Sequence, residues 1–410
     1  MAQVENEHAS DNPRDGLRTN AAHATSETTH ASETPHTSVV PDPTDLRIIG
    51  RGTCGTIYTS TSRSTVAYKI GRDRDGLWND IRLTARVHRA LSDPDVDEWF
   101  ASKLQVPAIK GWVADEAKEC FWADYARFFP ESHARETTPF VFALSLIPTI
   151  DSETRQALLW RYDFTTSRGA VLANPENDFC LIRPYLGLAT REDEPLCRSD
   201  NLWNFPFTRE DFRSFPLDSS WYFKQMVEEM ATGLAIIHWH AHVDGMDIEF
   251  VLGGRADWDE THTDIVDDID TSGPFCSSLP QHEITLATHA PDSDSLSHRY
   301  RRVRLYVLDF DKASPVSFDQ PEAAIERLVT AVTCNDPYFP DPNATSGDDL
   351  KLWQDFRRAY LRTAKWVSES LVEKHGKRAR KWPARFMDQW ERKAGQLLEG
   401  KNGEFIEFGD

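Results

Sequence analysis

Three acidic residues lie in one short turn, and their number and spacing could support acid–base chemistry or the binding of a cation. The turn belongs to the stretch HWHAHVDGMDIEFVL at 238–252, where Asp244, Asp247 and Glu249 fall within six residues. The aliphatic run that follows is typical of a buried strand. We therefore expect these carboxylates at the edge of a sheet, close to the core.

A second acid-rich turn has the same form. In LYVLDFDK at 305–312, Asp309 and Asp311 flank Phe310 after an aliphatic run. Carboxylates this dense beside core strands repel one another and lose hydration, so a positive group normally lies among them. A metal ion, a guanidinium, an ammonium group or a local Lys would each meet that need.

A glycine-rich stretch near the start of the ordered sequence predicts a hairpin that folds over a ligand. Gly50, Gly52 and Gly55 form a G-x-G-x-x-G pattern before one apolar strand, and V-A-Y-K ends a second strand at Lys69. Glycines allow close approach of the backbone, and the Lys supplies a positive charge beneath it. The glycine pattern alone is weak, but V-A-Y-K at hairpin distance makes it more specific.

An amphipathic helix is predicted at 77–91, where apolar residues recur at helical spacing. Its one acid, Asp80, either pairs with Lys69 or serves as a solvated or capping residue, and the local sequence slightly favours the second role. Periodicity and Pro signals predict further elements. The strands lie at 140–144 and 179–186, and the helices at 151–162, 221–239, 322–333 and 349–371.

Composition narrows the class of protein. The 410 residues carry a formal charge of −20, which argues against a general nucleic-acid-binding protein, DNA-binding proteins included, but leaves room for a local basic patch. No apolar run is long enough to cross a bilayer. The six Cys form no C-x-x-C pair, so a reducing cytoplasm is predicted, without a disulfide scaffold or zinc finger. The stretch 1–43 contains no aromatic residue and is predicted to be a disordered tail without a secretory signal.

Charge is distributed unevenly in the C-terminal half. Residues 255–300 contain ten Asp or Glu against two Arg, which indicates a flexible acidic loop between two strands. Residues 374–393 contain eight Lys or Arg against two acids, with Trp382 and Trp390 interleaved. This basic segment is either a solvated helix that balances the acidic body or a surface that contacts a phosphate backbone through cations and stacking aromatics.

The order of the motifs resembles the protein-kinase and aminoglycoside-kinase fold. H-V-D at 242–244 stands where that family has its H-R-D catalytic loop, and D-F-D at 309–311 stands where it has D-F-G. The resemblance implies a two-lobed, protein-kinase-like α+β fold with a small β-rich N-lobe and a mostly helical C-lobe. The implied segments are the N-lobe 44–183, the C-lobe 184–372 with its acidic insert 255–300, a basic C-terminal helix 373–398 and a tail 399–410.

In that family, the first Asp positions a hydroxyl and the Asp before Phe binds magnesium, which would make the chain an ATP-dependent small-molecule phosphotransferase. Two departures weaken this interpretation. Glu249 stands where a kinase has a metal-binding Asn, and Met246 and Asp247 stand where the loop Lys and Pro should lie. Additional carboxylates suit a cationic substrate group better than a phosphate chain. The fold can also be kinase-like without kinase chemistry, including as a non-catalytic scaffold.

Four phrases of the chain resemble a fungal family more closely: IIHWHAHVDGMDIEFVLGG, RPYLG, VLDFDKA and NDPYFPDP. That family carries a domain of unknown function and is often labelled as zinc-finger proteins, a label that the Cys pattern here does not support. Its characterised members are arginine-containing cyclodipeptide synthases of secondary metabolism. The resemblance implies a tRNA-dependent aminoacyltransferase that joins arginine and a second amino acid, both from aminoacyl-tRNAs, into a diketopiperazine.

The resemblance transfers no catalytic residue to this sequence, but the chemistry of the implied reaction suggests roles for its acids. A pocket with Asp247, Glu249 and Asp311 would hold the arginine guanidinium through paired hydrogen bonds. Asp244 or Glu249 would accept the proton of the attacking amine. The tRNA ester is already activated, so this reaction requires no cofactor, whereas the phosphotransferase alternative needs ATP and Mg²⁺.

The resulting site prediction has three parts and includes no metal ligand. The predicted catalytic residues are Asp244, Asp247, Glu249 and Asp309. The predicted substrate-binding residues are Gly50, Gly52, Gly55, Lys69 and Asp311. The predicted tRNA-binding residues are Lys377, Arg378, Arg380, Lys381 and Arg385.

Overall fold

The computed structural model describes most of the chain outside its two ends and its acidic insert. The described residues are 46–60, 65–96, 104–129, 139–188, 197–198, 200–214, 219–254, 303–345 and 347–404. The polar tail predicted at 1–43 and the acidic insert predicted at 255–300 lie outside them, as does the tail from 405 onward. All described residues belong to one contact unit, residues 36–410.

An antiparallel sheet of five strands forms from the N-terminal part of these residues. The strands are β1 Leu46–Arg51, β2 Thr56–Ser60, β3 Val66–Gly71, β4 Ile109–Trp112 and β5 Phe140–Ser145. Their spatial order is β1-β2-β3-β5-β4. Most of their residues are β-branched or aromatic, which suits a pleated and partly buried surface. The two predicted strands are confirmed as the antiparallel pair β2 and β3, with Lys69 in β3. The three glycines lie in β1 and in the turn that joins it to β2, so the glycine-rich hairpin is β1, β2 and that turn.

Helix α1, Arg74–Leu91, packs against this sheet. Asp73 caps the N-terminus of the helix. Its Oδ1 accepts a hydrogen bond from the Gly76 amide at 3.0 Å, which satisfies one free N–H donor of the first turn. The helix buries an apolar stripe that forms one core cluster with the sheet residues Ile109 and Phe142. The predicted helix at 77–91 is confirmed and begins three residues earlier.

A second sheet of four strands carries both acid turns at its edge. The strands are β7 Ile182–Tyr185, β9 Phe205–Thr208, β10 Glu249–Gly254 and β11 Val303–Leu308, in the order β11-β10-β7-β9. Strands β10 and β11 are antiparallel, and Glu249 pairs with Leu308. This register brings Glu249 beside the residue that precedes Asp309. The first sheet ends at Ser145, well before the lobe boundary predicted at 183.

Helices dominate the remainder of the described chain. They are α2 Lys118–Tyr125, α3 Ser152–Arg161, α4 Arg168–Ala173, α5 Arg209–Ser214, α6 Ser219–Trp239, α7 Pro321–Cys334, α8 Gly347–Val367, α9 Glu369–His375 and α10 Trp382–Glu404. A small parallel pair, β6 Asp163–Phe164 and β8 Cys197–Arg198, completes the strands. The long helices α6 and α8 pack together and bury most of α6. None of the described helices is both long and apolar enough to cross a membrane.

The basic C-terminal segment differs from the single helix predicted at 373–398. Helix α9 ends at His375, Gly376 adopts a φ of +78°, and a 3₁₀ turn at Lys377–Lys381 leads into α10. The positive φ breaks the helix, because a glycine adopts this conformation without strain. Trp382 and Trp390 are buried in the core, so they are not available to stack on bases.

Candidate functional site

A cleft lies beneath the glycine-rich hairpin and receives residues from both sheets. It encloses about 1010 Å³, part of which is open to solvent. Gly50, Gly52 and Gly55 line it from the hairpin, Lys69 from β3 and Glu249 from the start of β10. Asp80 and Asp309 line it too. The cleft therefore brings together Glu249 and Asp309, one acid from each of the two acid-rich turns.

The hairpin turn approaches β3 closely. The Gly52 amide donates to the Gly55 carbonyl at 2.9 Å. A side-chain carbon on Gly55 would lie only 2.6 Å from the carbonyl oxygen of Ile70. Glycine is needed at this position because any larger residue would push the hairpin away from the strand.

Lys69 connects helix α1 to the second acid turn. Its Nζ lies 2.6 Å from Asp80 Oδ2 and 2.6 Å from Asp309 Oδ1. Burial lowers the pKa of Lys69, but the charges of Asp80 and Asp309 outweigh burial and raise it above the ordinary value. Asp80 thus pairs with Lys69, and the solvated or capping role that its local sequence favoured is wrong.

The backbone after Asp309 is held in place from α1. The Phe310 amide donates to Asp80 Oδ1 at 3.0 Å. The side-chain amide of Asn79 donates to the carbonyls of Asp311 and Ala313 at 2.9 and 2.8 Å. Asp309 itself has a φ of +66°, an uncommon conformation for a residue other than glycine and one that is enriched at functional sites. Burial raises the pKa of Asp309, while Lys69 opposes this shift.

Glu249 pairs with an arginine from the neighbouring strand. Arg183 Nη2 donates to Glu249 Oε1, and the Arg183 side chain is 18% exposed. Burial raises the pKa of Glu249 to about 7, although the charge of Arg183 opposes this shift. A carboxyl group with this pKa exchanges its proton near neutral pH, which suits a general base or acid.

Arg183 also lies close to a second carboxylate. Its Nη1 is 3.6 Å from Asp336 Oδ2, and Tyr185 Oη donates to the same oxygen at 3.0 Å. The hydroxyl of Tyr338 and the Nε of Arg183 are buried and have no hydrogen-bond partner among the residues that the structure describes. Glu249 and Asp336 therefore hold one guanidinium between them, in a cluster with unsatisfied polar atoms that a bound polar group would satisfy.

Asp244 has a positioning role instead of lining the cleft. Its carboxylate is buried and accepts from Arg327 Nε at 2.6 Å, the Ser314 amide at 2.8 Å and the Met246 amide at 3.1 Å. These three donors fix the first acid turn to the segment after the second. Asp244 is therefore not among the residues that line the cleft, and its catalytic role stays a prediction.

Two further acids also lie outside the cleft lining. Asp247, with a φ of +59°, pairs with Lys312 at the surface, and both side chains are about half exposed. Asp311 is buried and forms a hydrogen bond with Cys54, which together with burial raises the pKa of that thiol. The structure therefore does not bring Asp247 or Asp311 together with Glu249.

The described residues that line the cleft do not carry the predicted surplus of negative charge. The charged groups that line it are three cations and three acids: Arg51, Lys69, Arg183, Asp80, Glu249 and Asp309. The positive groups expected among the acids prove to be local side chains. A cationic substrate group would therefore have to compete with Arg183 or Lys69 for the same carboxylates.

The five predicted tRNA-binding residues are all exposed on the 3₁₀ turn and the first turns of α10. Two of them form ion pairs, Arg380 with Glu369 at 2.9 Å and Arg385 with Glu322. The other three, Lys377, Arg378 and Lys381, pair with no acid of the described residues.

Sequence reasoning missed Asn79, Arg183 and Asp336. Arg183 gave a usable signal, because a charged residue inside the apolar run FCLIRPYL is costly to bury unless it has a partner. Asn79 gave none, since the three carbonyls near its amide lie more than 230 residues away in sequence.

One segment in the C-terminal half of the chain is similar to one described family. Residues 305–371 match the profile of DUF3669, described as zinc finger protein. This segment contains one Cys and no His, so it lacks the ligands of a zinc finger. Within the part of the chain that the structure describes, no three or more His, Cys, Asp or Glu residues are grouped to hold a metal. Among curated proteins, no sequence matches this chain.

Proposed function

We propose that this chain is an aminoacyl-tRNA-dependent cyclodipeptide synthase that forms cyclo-arginine-Xaa, with Glu249 as the proton-transfer group. The observation that carries this proposal is a partly buried carboxyl, paired with Arg183 in the cleft beneath the glycine hairpin, whose pKa burial raises to about 7. An α-amino group has an ordinary pKa of about 7.7–8.0. Glu249 is thus matched to the amine that must lose a proton.

The proposed reaction needs no oxidant and no nucleotide. The neutral α-amine of one aminoacyl ester attacks the ester carbonyl of the other, a C–N bond forms and the C–O bond to the ribose breaks. Glu249 accepts the proton from the amine and returns it to the departing ribose oxygen. A second, intramolecular attack by the remaining amine on the remaining ester closes the ring and releases the second tRNA.

The carboxylates of Glu249 and Asp336 are the groups best suited to bind the guanidinium of a substrate arginine. These two carboxylates already hold the guanidinium of Arg183, so their spacing suits the planar, multiply donating group. In the proposal, the substrate side chain shares or takes over part of this arrangement. Lys69, fixed by Asp80 and Asp309, supplies a cation toward the developing negative charge on the carbonyl oxygen.

We further propose that the fold is kinase-like and two-lobed. Its support is the shared order of glycine hairpin, β3 Lys69, α1 acid Asp80 and the acid Asp309 before Phe310, joined by ion pairs at 2.6 Å. A fold of this kind does not by itself imply phosphoryl transfer.

ATP-dependent phosphotransfer is the second candidate, favoured by the Lys69–Asp309 pair. The backbone of the segment after β5 argues against ATP-dependent phosphotransfer. The edge of an adenine is normally bound by backbone N–H and C=O groups that have no other hydrogen-bond partner. The Leu146 amide already donates to the Thr65 carbonyl at 2.8 Å, and the Pro148 carbonyl accepts from the Gly254 amide at 2.7 Å. Pro148 itself has no N–H to offer.

The experiment supplies the purified chain with Arg-tRNA and each second charged tRNA, and detects products by mass spectrometry. We expect cyclo-arginine-Xaa with at least one pair, its loss after ribonuclease treatment, and no requirement for ATP. Absence of a cyclic product with every charged pair would exclude the proposed reaction. Binding of Mg-ATP at millimolar concentration, with phosphate transfer to a small molecule, would support the second candidate instead.

A further inference from the structure

A second cavity, here called the C-terminal pocket, lies between the end of α7 and α10. It encloses about 800 Å³, part of which is open to solvent. The turn NDPYFPDP at 335–342 contributes most of one side, and α10 contributes Trp390, Leu397 and Leu398. The proton transfer proposed for Glu249 makes no use of this pocket.

The turn that lines the C-terminal pocket has a fixed backbone. The Gly187 amide donates to the Pro337 carbonyl at 2.9 Å, and the Asn343 amide donates to Asp341 Oδ1 at 2.8 Å. Three prolines of the turn restrict it further, because a proline ring fixes φ. The pocket is thus largely formed before a ligand binds, as is usual for small-molecule sites.

Large apolar side chains are exposed around this pocket. Leu397 and Leu398 are each 46% exposed, and Leu188, which follows the lining residue Gly187 in sequence, is 43% exposed. Among the described residues, three of the five exposed large apolar side chains therefore lie in or next to one lining. Exposed apolar surface that is concentrated in this way indicates a binding site.

The charged residues in the lining are both acids. Asp336 and Asp341 line the C-terminal pocket, and no Lys, Arg or His of the described residues does so. Arg183 lies 3.6 Å from Asp336 and balances part of its charge. The carboxylate of Asp341 accepts from the Asn343 amide and forms no ion pair in the described part of the chain. This pocket therefore has the surplus of negative charge that the cleft lacks.

Asp336 connects the C-terminal pocket with the cleft beneath the hairpin. Asp336 lines the pocket, whereas its neighbour Arg183 lines the cleft and pairs there with Glu249. The two cavities are thus adjacent and share the contact between Arg183 and Asp336.

We propose that the C-terminal pocket binds the second amino acid of the cyclic product, and that this amino acid has an apolar side chain. Trp390 and the two leucines of α10 contact the side chain, and Asp341 accepts hydrogen bonds from the α-ammonium group. The open part of the pocket leaves room for the ester that joins the amino acid to its tRNA. That the ligand is an aminoacyl group rests on the proposed function, whereas the preference of the pocket for an apolar amine does not.

Saturation-transfer NMR with the full chain and L-phenylalaninamide tests the pocket without any tRNA. Near pH 6, where an α-amine is charged, this probe has an apolar ring and an ammonium group. N-acetyl-L-phenylalaninamide has the same ring and no charge. We expect a dissociation constant on the order of 1 mM for the charged amide and binding of the acetylated amide that is about fivefold weaker.

Two variants separate the contribution of charge from that of apolar contact. Asp341→Asn should weaken binding of the charged amide by about fivefold and leave the acetylated amide unchanged. Asparagine keeps an acceptor for the Asn343 amide, so the turn should stay folded. Leu397→Ser combined with Leu398→Ser should weaken binding of both amides by about tenfold, because apolar contact is lost. Asp124→Asn is the matched control, since Asp124 is exposed on α2 and does not line the pocket.

Equal affinity of the starting protein for the two amides would overturn the proposal. Unchanged affinity for the charged amide in both variants would overturn it too, provided that urea unfolding shows folded proteins. Self-association that Leu397→Ser abolishes would assign the leucines to an interface between copies of the chain and would also overturn it.

The outcome for this pocket can be told apart from the outcome for the proposed reaction. Binding of the charged amide that Asp341→Asn weakens, in a chain that forms no cyclic product, would contradict the reaction and still support an apolar-amine site. Cyclic product that forms only with acidic or basic second amino acids would support the reaction and overturn the assignment of this pocket.

Discussion

The cleft and the surroundings of Arg86 on α1 treat buried charge in opposite ways. In the cleft, Lys69 and Arg183 each neutralise a carboxylate. On α1, burial lowers the pKa of Arg86, and the charges of Arg89 and Arg82 lower it further. Paired charges keep a fixed geometry because each member satisfies the other, whereas nearby like charges add to the cost of burial. The cleft is therefore the region where opposite charges fix the side chains in place.

Removal of the Lys69 cation from the cleft should have the largest effect on the free energy of unfolding. Lys69→Met leaves Asp80 and Asp309 close together without their shared counterion. Loss of one partner from a buried pair costs about 3–5 kcal/mol, and we expect urea unfolding to show a loss of this size. Lys118→Met, on α2 and without an ion pair among the described residues, should change stability by less than about 0.5 kcal/mol. A similar small change for Lys69→Met would show that the cleft does not depend on paired charge.

Glu249→Gln preserves the shape of the cleft and removes the carboxyl group that titrates near neutral pH. It therefore tests the chemistry of the cleft separately from its packing. We expect cyclic product formation at pH 8 to fall by about 100-fold or more, since general acid–base groups contribute that much. Binding of uncharged tRNA should remain unchanged, because the predicted tRNA-binding residues Lys377, Arg378 and Lys381 lie outside the cleft lining. Glu119→Gln, on the exposed face of α2, is the matched control. Full activity of Glu249→Gln would remove Glu249 from the reaction.

The pH dependence of stability tests the raised pKa of Glu249 without any substrate. Its pKa rises from 4.5 to about 7 on folding, so between these values the folded chain binds more protons than the unfolded chain. Stability contributed by this group must therefore fall as pH rises through that window. Relative to Glu249→Gln, the starting protein should lose on the order of 3 kcal/mol between pH 4.5 and 7.5. A pH-independent difference would contradict the raised pKa.

Asp247→Asn should have the smallest effect on both stability and product formation. The Asp247–Lys312 pair is about half exposed, and such pairs contribute less than about 1 kcal/mol. We expect unfolding by urea to shift by no more than this and product formation to stay within about twofold. A loss of product as large as that of Glu249→Gln would return Asp247 to the catalytic group.

The sequence predicted the secondary-structure elements better than the side-chain contacts between them. Local periodicity was sufficient for α1 and β5, and the H-V-D and D-F-D motifs placed Glu249 and Asp309 at one site. The partner of Asp244 is Arg327, 83 residues later, and no local pattern encodes that contact. Trp382 was expected on a basic surface, but helix packing buries it. Which face of a helix is buried depends on its neighbours, and those are not visible in one segment.

The pH–rate profile of cyclic product formation tests the central role of Glu249 most directly. With saturating charged tRNAs, the rate should rise with pH and level off above an apparent pKa of about 7, the value that burial gives Glu249. Glu249→Gln should retain only a low rate without that inflection. An inflection near 7 that persists in Glu249→Gln would contradict the assignment of proton transfer to this residue.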